Sequence, residues 1–249
     1  MSLHPPNAVL ERMYRTGQVE DGQGNVVSCF PTSVSYESGA LLYEFVREKG
    51  PERTLEVGLA WGGSALFICQ AHRDNGSGHH TAVDPFQAQT YRSVGVLNIE
   101  RAGLEDVFRF FPERSFDALP RLCAEGERFD FVFIDGRHLF DCVLVDFFYV
   151  DRLLEVGGYV ALDDLWMPAV RKVKSFILRN RSYELVPVPG PKVIPDWQQM
   201  VWQRVRRVGL SMLKHRLGRD VRTKIAPANI AILRKTGEDS RRWDFHQTF

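Results

Sequence analysis

Long apolar runs are missing from this 249-residue chain, and no stretch reaches the length of a bilayer-spanning helix. The N-terminus, with His4, Pro5, Pro6 and Asn7, has neither the charged start nor the apolar run of a secretory leader. Cysteine is scarce: Cys29, Cys69, Cys123 and Cys142 are scattered and form no CxxC pair. That pattern excludes a disulfide framework and reads as reduced thiols in a cytoplasmic protein. Charge of neither sign prevails, since 32 Lys and Arg stand against 31 Asp and Glu for a formal net charge of +1. A global electrostatic pull toward nucleic acid or a membrane surface is therefore not expected. Internal repeats and low-complexity tracts are also absent.

What is present suffices for one sizeable core: 44% of residues are hydrophobic and 25% charged, the globular average. Short apolar runs alternate with amphipathic segments, which is the signature of βαβ units. Residues 1–35, rich in Gly, Asn and Asp, read as an arm or lid, and 36–249 as one α/β domain. Ser38–Lys49 carries an apolar helical stripe (Leu41, Leu42, Phe45, Val46) that stops at Gly50 and Pro51. Strands are expected at Thr54–Val57, His80–Asp84, Val107–Phe111, Phe129–Ile134, Tyr159–Leu162, Glu184–Val188 and Asn229–Arg234. Helices are expected at Ser64–Ala71, Thr90–Ala102, Phe116–Ala124, Phe140–Leu154 and Ala169–Leu178. The fold class is α/β: a Rossmann-like, seven-stranded, mostly parallel sheet with helices on both faces.

Between the last two strands, about 189–227 is too long for an ordinary αβ loop. It holds nine basic residues against two acidic ones, interleaved with Trp197, Met200, Leu210, Met212 and Leu213. This basic amphipathic insertion reads first as a helix packing on the domain or on a second subunit, so insertion and arm are the candidate homodimer surfaces. It matches no named RNA-binding motif and is sparse in stacking aromatics, and no nucleic-acid partner is expected.

The most informative run is Leu55-Glu56-Val57-Gly58-Leu59-Ala60-Trp61-Gly62-Gly63-Ser64, between a strand and a helix. Gly58 allows a sharp turn off the strand, while Gly62 and Gly63 allow close backbone approach to a ligand at a helix start. Glu56 precedes the turn, and Asp84 ends the next strand 26 residues after Gly58, where an acid can accept hydrogen bonds from ribose hydroxyls. A nicotinamide-dependent oxidoreductase is the rival reading. It fits less well because Ala60 stands where GxGxxG requires its second glycine. A tight turn in any doubly wound protein is the other alternative.

The runs LEVGLAWGGSALFI, AVDPF, FDFVFIDGRHLFDCVLVDF and LLEVGGYVALDD resemble the class I S-adenosylmethionine-dependent methyltransferase superfamily. The likeness is to the branch of catechol-type and antibiotic-sugar O-methyltransferases. It runs from about Ser38 to Phe176. It implies that Glu56, Gly58 and Gly62 hold the amino-acid end of the cofactor, with Trp61 in the same turn and Ser64 near the carboxylate. It further implies that Asp84 grips the ribose, that Glu113, within Pro112–Ser115, lies beside the adenine, and that Asp135 also borders the cofactor.

Asp135, Asp163 and Asp164 fall at the carboxyl ends of strands, where ligands of open α/β sheets sit. Converging carboxylates repel unless a proton or cation neutralises them, and a hard ion such as Mg2+ takes oxygen ligands. In the catechol-type family the metal ligands are an Asp after strand four and an Asp-Asn pair after strand five; Asp135 and Asp163-Asp164 share that 28-residue separation, with Asp in place of Asn. Mg2+ or another divalent cation is the implied second cofactor. The alternative is that Asp135 touches substrate or cofactor without metal and that Asp163-Asp164 caps the next helix.

His138 stands where the resemblance places a lysine base, and an imidazole there can take a hydroxyl proton near neutral pH. Its alternative role is to cap the Phe140 helix or touch the cofactor edge. Arg137 and Trp166 flank the same mouth. The expected function is O-methylation of a small hydroxylated metabolite with His138 and Asp135 as catalytic residues. Metal-independent methylation, or another activity on the same scaffold, are the alternatives.

Overall fold

The structure, a computed structural model, describes residues 5–187 and 229–249. The seven strands of the main sheet are β3 (Arg53–Val57), β4 (His79–Val83), β5 (Phe108–Phe111), β6 (Phe129–Ile134), β7 (Leu154–Leu162), β8 (Tyr183–Leu185) and β9 (Ala231–Lys235). They lie in the order β5-β4-β3-β6-β7-β9-β8, all parallel except β9, which runs antiparallel to β7 and β8. The order reverses between β3 and β6, so the carboxyl ends of those two strands form the switch point where such sheets bind ligands.

Alternating side chains explain why the sheet is covered on both faces. In β6, Val132 and Ile134 join one apolar cluster while Phe131 and Phe133 join another. The first cluster takes Leu119 and Leu122 from α5 (Ser115–Ala124), Phe147 and Val150 from α6 (Phe140–Leu153), and Val173 and Ile177 from α7 (Pro168–Asn180). The second takes Leu42 and Val46 from α2 (Tyr36–Lys49) and Ile68 and Ala71 from α3 (Gly63–Asn75). A strand buried on both sides has no polar face to show, which is why 129–134 reads as an almost unbroken apolar run.

Three differences from expectation have local causes. The fifth strand of the parallel set begins at Leu154, because Gly157 (φ 95°) absorbs a register shift between the Phe129–Leu154 and Phe131–Tyr159 pairs. The helix expected from Thr90 starts as α4 only at Val94 (Val94–Arg101), because Arg92 and Ser93 adopt left-handed backbone (φ 50° and 58°). The expected arm is itself folded: α1 (Ala8–Thr16), capped by Asn7, leads into a hairpin of β1 (Gln18–Glu20) and β2 (Val26–Ser28). Met13, Val19 and Cys29 pack with Val94 and Trp61, while Arg92 pairs with Asp21 at 3.0 Å and Arg101 donates to the Glu20 carbonyl at 2.6 Å. The arm is thereby fastened beside the glycine turn. The basic insertion expected at about 189–227 lies outside the described residues. Among the described residues no helix is long and apolar enough to cross a membrane.

Candidate active site

The turn leaving β3 is held from three sides. Gly58 has φ 96°, and a Cβ there would lie 2.3 Å from the carbonyl oxygen of Asp135, so only glycine lets the β3 and β6 loops meet. Gly62, with φ 83°, opens α3; a Cβ there would lie 2.8 Å from the carbonyl oxygen of Gly95 in α4. Asp84 closes the third side, its Oδ2 accepting from the amides of Leu59 (3.0 Å) and Ala60 (2.9 Å) and its Oδ1 from that of Phe86 (2.7 Å). Gln87 adds a strap, donating to the Ala60 carbonyl at 2.7 Å and to Asp84 at 3.2 Å. Asp84 thus stands where the sequence places it, yet much of its hydrogen-bonding capacity goes to shaping the turn.

A buried polar chain lies beneath. Glu56 is fully buried, with Oε2 accepting from the Ser64 hydroxyl at 2.7 Å and Oε1 facing His80 Nε2 at 3.5 Å. His80 Nδ1 lies 2.9 Å from the Thr54 hydroxyl, which also lies 2.8 Å from His72 Nε2. If His80 carries its proton on Nε2, facing the carboxylate, Thr54 must donate to His80 and accept from His72, so every donor points toward Glu56. Burial, and then the neighbouring His80, press the His72 pKa down to about 4, which keeps that imidazole neutral.

Several polar atoms around the turn have no partner among the described residues: Trp61 Nε1, Gln87 Oε1 and Ser33 Oγ. Ser33, from the arm, places its Cβ 3.7 Å from where a Gly63 side chain would begin. Unpaired buried polar groups are costly, so a set of them bordering a glycine-only backbone fits a polar ligand that completes their hydrogen bonds. The residues present therefore fit a nucleoside-type cofactor at this turn. Trp61 is half-buried, its indole edge-on to Tyr91 with centroids 5.0 Å apart. Burial, Asp84 and Asp135 together raise the Tyr91 pKa, so that ring stands near both acids. Glu113 pairs with Arg121 at 2.8 Å.

At the neighbouring strand ends, Asp135, His138 and Asp164 each offer a ligand atom within 4.8 Å of the others. His138 Nε2 lies 3.1 Å from Asp135 Oδ1 and 3.2 Å from Asp164 Oδ2. Asp163 is outside that group; it is 6% exposed, and its Oδ1 has no partner among the described residues. Burial first, then the charges of Asp135 and Asp164, raise the Asp163 pKa well above the usual carboxylate range. Asp135 is raised to about 6, mainly by burial against the opposing pull of His138. For His138, burial alone would lower the pKa, but the hydrogen bond and charge of Asp135 together with Asp164 raise it overall. Two acids facing one imidazole, with the buried Asp163 beside them, make an oxygen-rich donor set that fits a hard divalent cation.

The same side of the sheet carries exposed apolar side chains: Phe86 after β4, Leu139 and Phe140 after β6, and Trp166 after β7. Sequence reasoning placed Trp166 and Arg137 at this mouth. It missed Gln87, Tyr91, Ser33 and Asn229, whose single polar or aromatic side chains in loops carry no periodic or motif signal.

A family model described as a methyltransferase domain matches residues 55–165, the span from the glycine turn to the acid cluster. A caffeoyl-CoA O-methyltransferase of Stellaria longipes is 30% identical over 196 residues, covering 76% of this chain and 68% of that protein. Catechol O-methyltransferase B of Danio rerio is 30% identical over 156 residues, covering 61% of this chain and 57% of that protein. Across four such relatives the alignments span 55–68% of their own length. Among solved structures, the O-methyltransferase TomG of Streptomyces achromogenes in complex with SAM shares the fold at TM-score 0.60 and 18% identity, covering 83% of this chain and 82% of that one. An O-methyltransferase of Bacillus cereus in complex with SAH does so at TM-score 0.59 and 20% identity, covering 74% and 84%. Relatives and site geometry agree, and the chain belongs to the class I S-adenosylmethionine-dependent O-methyltransferases.

Proposed function

We propose that this enzyme methylates a hydroxyl group of a small hydroxylated metabolite, with a divalent cation at the acid cluster and His138 as general base. One observation carries the reading. Asp135 presses its carbonyl against Gly58 in the cofactor turn while its carboxylate belongs to the acid cluster, so methyl donor and acceptor would meet across a single residue. The names of the relatives, caffeoyl-CoA and catechol O-methyltransferase, favour an aromatic hydroxyl, and the exposed Trp166 and Phe86 offer faces for a planar ring.

Glu56, Gly58, Trp61, Gly62 and Ser64 form or underpin the cradle for the amino-acid end of the cofactor, and Asp84 keeps the cradle shaped while bordering the ribose. S-adenosylmethionine, when bound, supplies a methyl group on a sulfonium that is already a good leaving group. Asp135 and Asp164, with Asp163 as third acid, would hold the divalent cation, which would supply charge that lowers the pKa of a substrate hydroxyl. His138 takes the proton of the substrate hydroxyl and so frees its oxygen as the nucleophile. Asp135 and Asp164, both beside Nε2, stabilise the imidazolium that results. Phe86, Leu139 and Trp166 limit water around the reacting oxygen.

A metal-independent course is favoured by one feature: His138 Nε2 already bridges Asp135 and Asp164, the position a cation would take. Calorimetric titration of S-adenosylhomocysteine, followed by methyl transfer to a panel of catechols and hydroxycinnamoyl thioesters with Mg2+ or with chelator, separates these readings. Cofactor binding with Mg2+-dependent turnover supports the first. Turnover indifferent to chelator removes the cation, and a chain that binds no cofactor removes the methyl-transfer reading.

A further inference from the structure

Asp164 is one of the four non-glycine residues with positive φ among those described, at 54°. A left-handed backbone costs such a residue roughly 1–2 kcal/mol, so surrounding contacts have to hold it there. Those contacts converge from Asn229, 65 residues away at the entry to β9. Its amide Nδ2 donates to Asp164 Oδ1 at 2.7 Å, its Oδ1 accepts from the Trp166 amide at 3.1 Å, and its carbonyl accepts from the Leu165 amide at 3.0 Å. The Trp166 indole Nε1 donates to the same Asp164 Oδ1 at 2.7 Å.

We propose that Asn229, seconded by the Trp166 indole, is the positioning residue of the acid cluster: it occupies Asp164 Oδ1 so that Oδ2 alone is presented toward Asp135 and His138 as a cation ligand. This rests on the cation reading above. Two neutral N–H donors on Oδ1 fix the carboxylate plane without bringing a positive charge that would compete with the ion. Oδ2, thus directed, lies 3.2 Å from His138 Nε2. The Oδ1 of Asp163, in a side chain 6% exposed, has no partner among the described residues and is a separate sign that the cluster takes a ligand. Groups that orient metal ligands in this way are worth about 10–100-fold in metal affinity.

Mn2+ binding followed by electron paramagnetic resonance tests this without turnover, with thermal melting as the check on folding. Wild type should bind Mn2+, and Asn229→Ala should bind about 10–100-fold more weakly while melting as a single folded species. Trp166→Phe removes one of the two Oδ1 donors and leaves the backbone clamp, so it should weaken Mn2+ binding in the same direction but less. If Asn229→Ala does not fold, the Trp166→Phe affinity decides. Wild-type Mn2+ affinity in the folded variants, whatever happens to melting temperature, overturns the positioning role and leaves the cation reading standing. Absence of Mn2+ binding in wild type overturns the cation reading, and the positioning role with it.

Discussion

The polar floor beneath the glycine turn and the acid cluster beside it sit on adjacent strands, yet they are built on opposite principles. In the floor, one buried carboxylate, Glu56, accepts from Ser64 and is faced by His80, with Thr54 and His72 behind it; Glu56 Oε1, His80 Nε2 and His72 Nδ1 have no hydrogen-bond partner among the described residues. Asp84 spends both oxygens on amides of its own loops. In the cluster, Asp135 and Asp164 share one imidazole, and the buried Asp163 beside them keeps an oxygen with no partner among the described residues. A single carboxylate backed by neutral donors holds a backbone shape before any ligand arrives, whereas two carboxylates against one imidazole store affinity for whatever brings positive charge. One region is a mould, and the other is a half-built reaction centre.

The comparison breaks most visibly at Asp135, which belongs to the cluster by its side chain and to the mould by its carbonyl. Asp135→Ala removes the first and keeps the second. Methyl transfer to a responsive acceptor should fall by ~10³-fold, in the range of a lost acid–base group, while S-adenosylhomocysteine affinity changes by less than about tenfold. A matched collapse of cofactor affinity in titration would show that the two regions are not separable. Gly58→Ala inverts the experiment: its new Cβ would lie 2.3 Å from the Asp135 carbonyl at φ 96°. Strain and overlap should together cost about 3–4 kcal/mol of stability in urea melts, with cofactor binding lost as well.

The mould also carries a pH signature that the cluster opposes. His72 has a folded pKa of about 4 against an ordinary 6.5, so the unfolded chain binds its proton first as pH falls. Its contribution is fully present above pH 6.5 and drains away between 6.5 and about 4, amounting to about 3 kcal/mol at the bottom of that window. Asp135, raised to about 6, acts in the other sense and resists acid. Comparing wild type with His72→Gln by denaturant melts at pH 7.5 and 4.5 isolates the first effect. The variant should lose less stability on acidification, and equal losses would remove His72 from the account.

Legibility in the sequence divides along the same line. The mould was readable because its parts are local: a glycine turn between a strand and a helix, with acids at strand ends whose period-2 burial fixes where they point. Seven strands and the positions of Glu56, Gly58, Gly62, Ser64 and Asp84 follow from that pattern. Asp135, Asp163 and Asp164 were readable as strand-end acids, but which of them converge was not. A left-handed backbone at Asp164 turns its carboxylate toward His138 while Asp163 stays buried. That choice depends on Asn229, from a distant segment with no motif around it. Glu113 shows the same limit, since its pairing with Arg121 is a matter of helix phase in α5 rather than of strand-end position. The start of α4 was misplaced because Arg92 and Ser93 break a pattern that composition alone would continue.

Ala60 offers the finest test of whether the mould is rigid by construction. It sits in the turn at φ 45°, where a side chain costs roughly 1–2 kcal/mol, yet its amide donates to Asp84 and its carbonyl accepts from Gln87. Ala60→Gly relieves that strain, and against it stands the roughly 0.5–1 kcal/mol of extra chain entropy that glycine loses on folding. A net gain of about 0.5 kcal/mol in urea melts is expected. If Asp84 and Gln87 rather than the alanine methyl hold the turn, S-adenosylhomocysteine affinity should stay within about twofold of wild type, a difference of under 0.5 kcal/mol. A larger loss of affinity in the more stable variant would mean that the methyl group itself restrains the loop. Shape would then come from steric strain at Ala60 rather than from the hydrogen bonds that close around it.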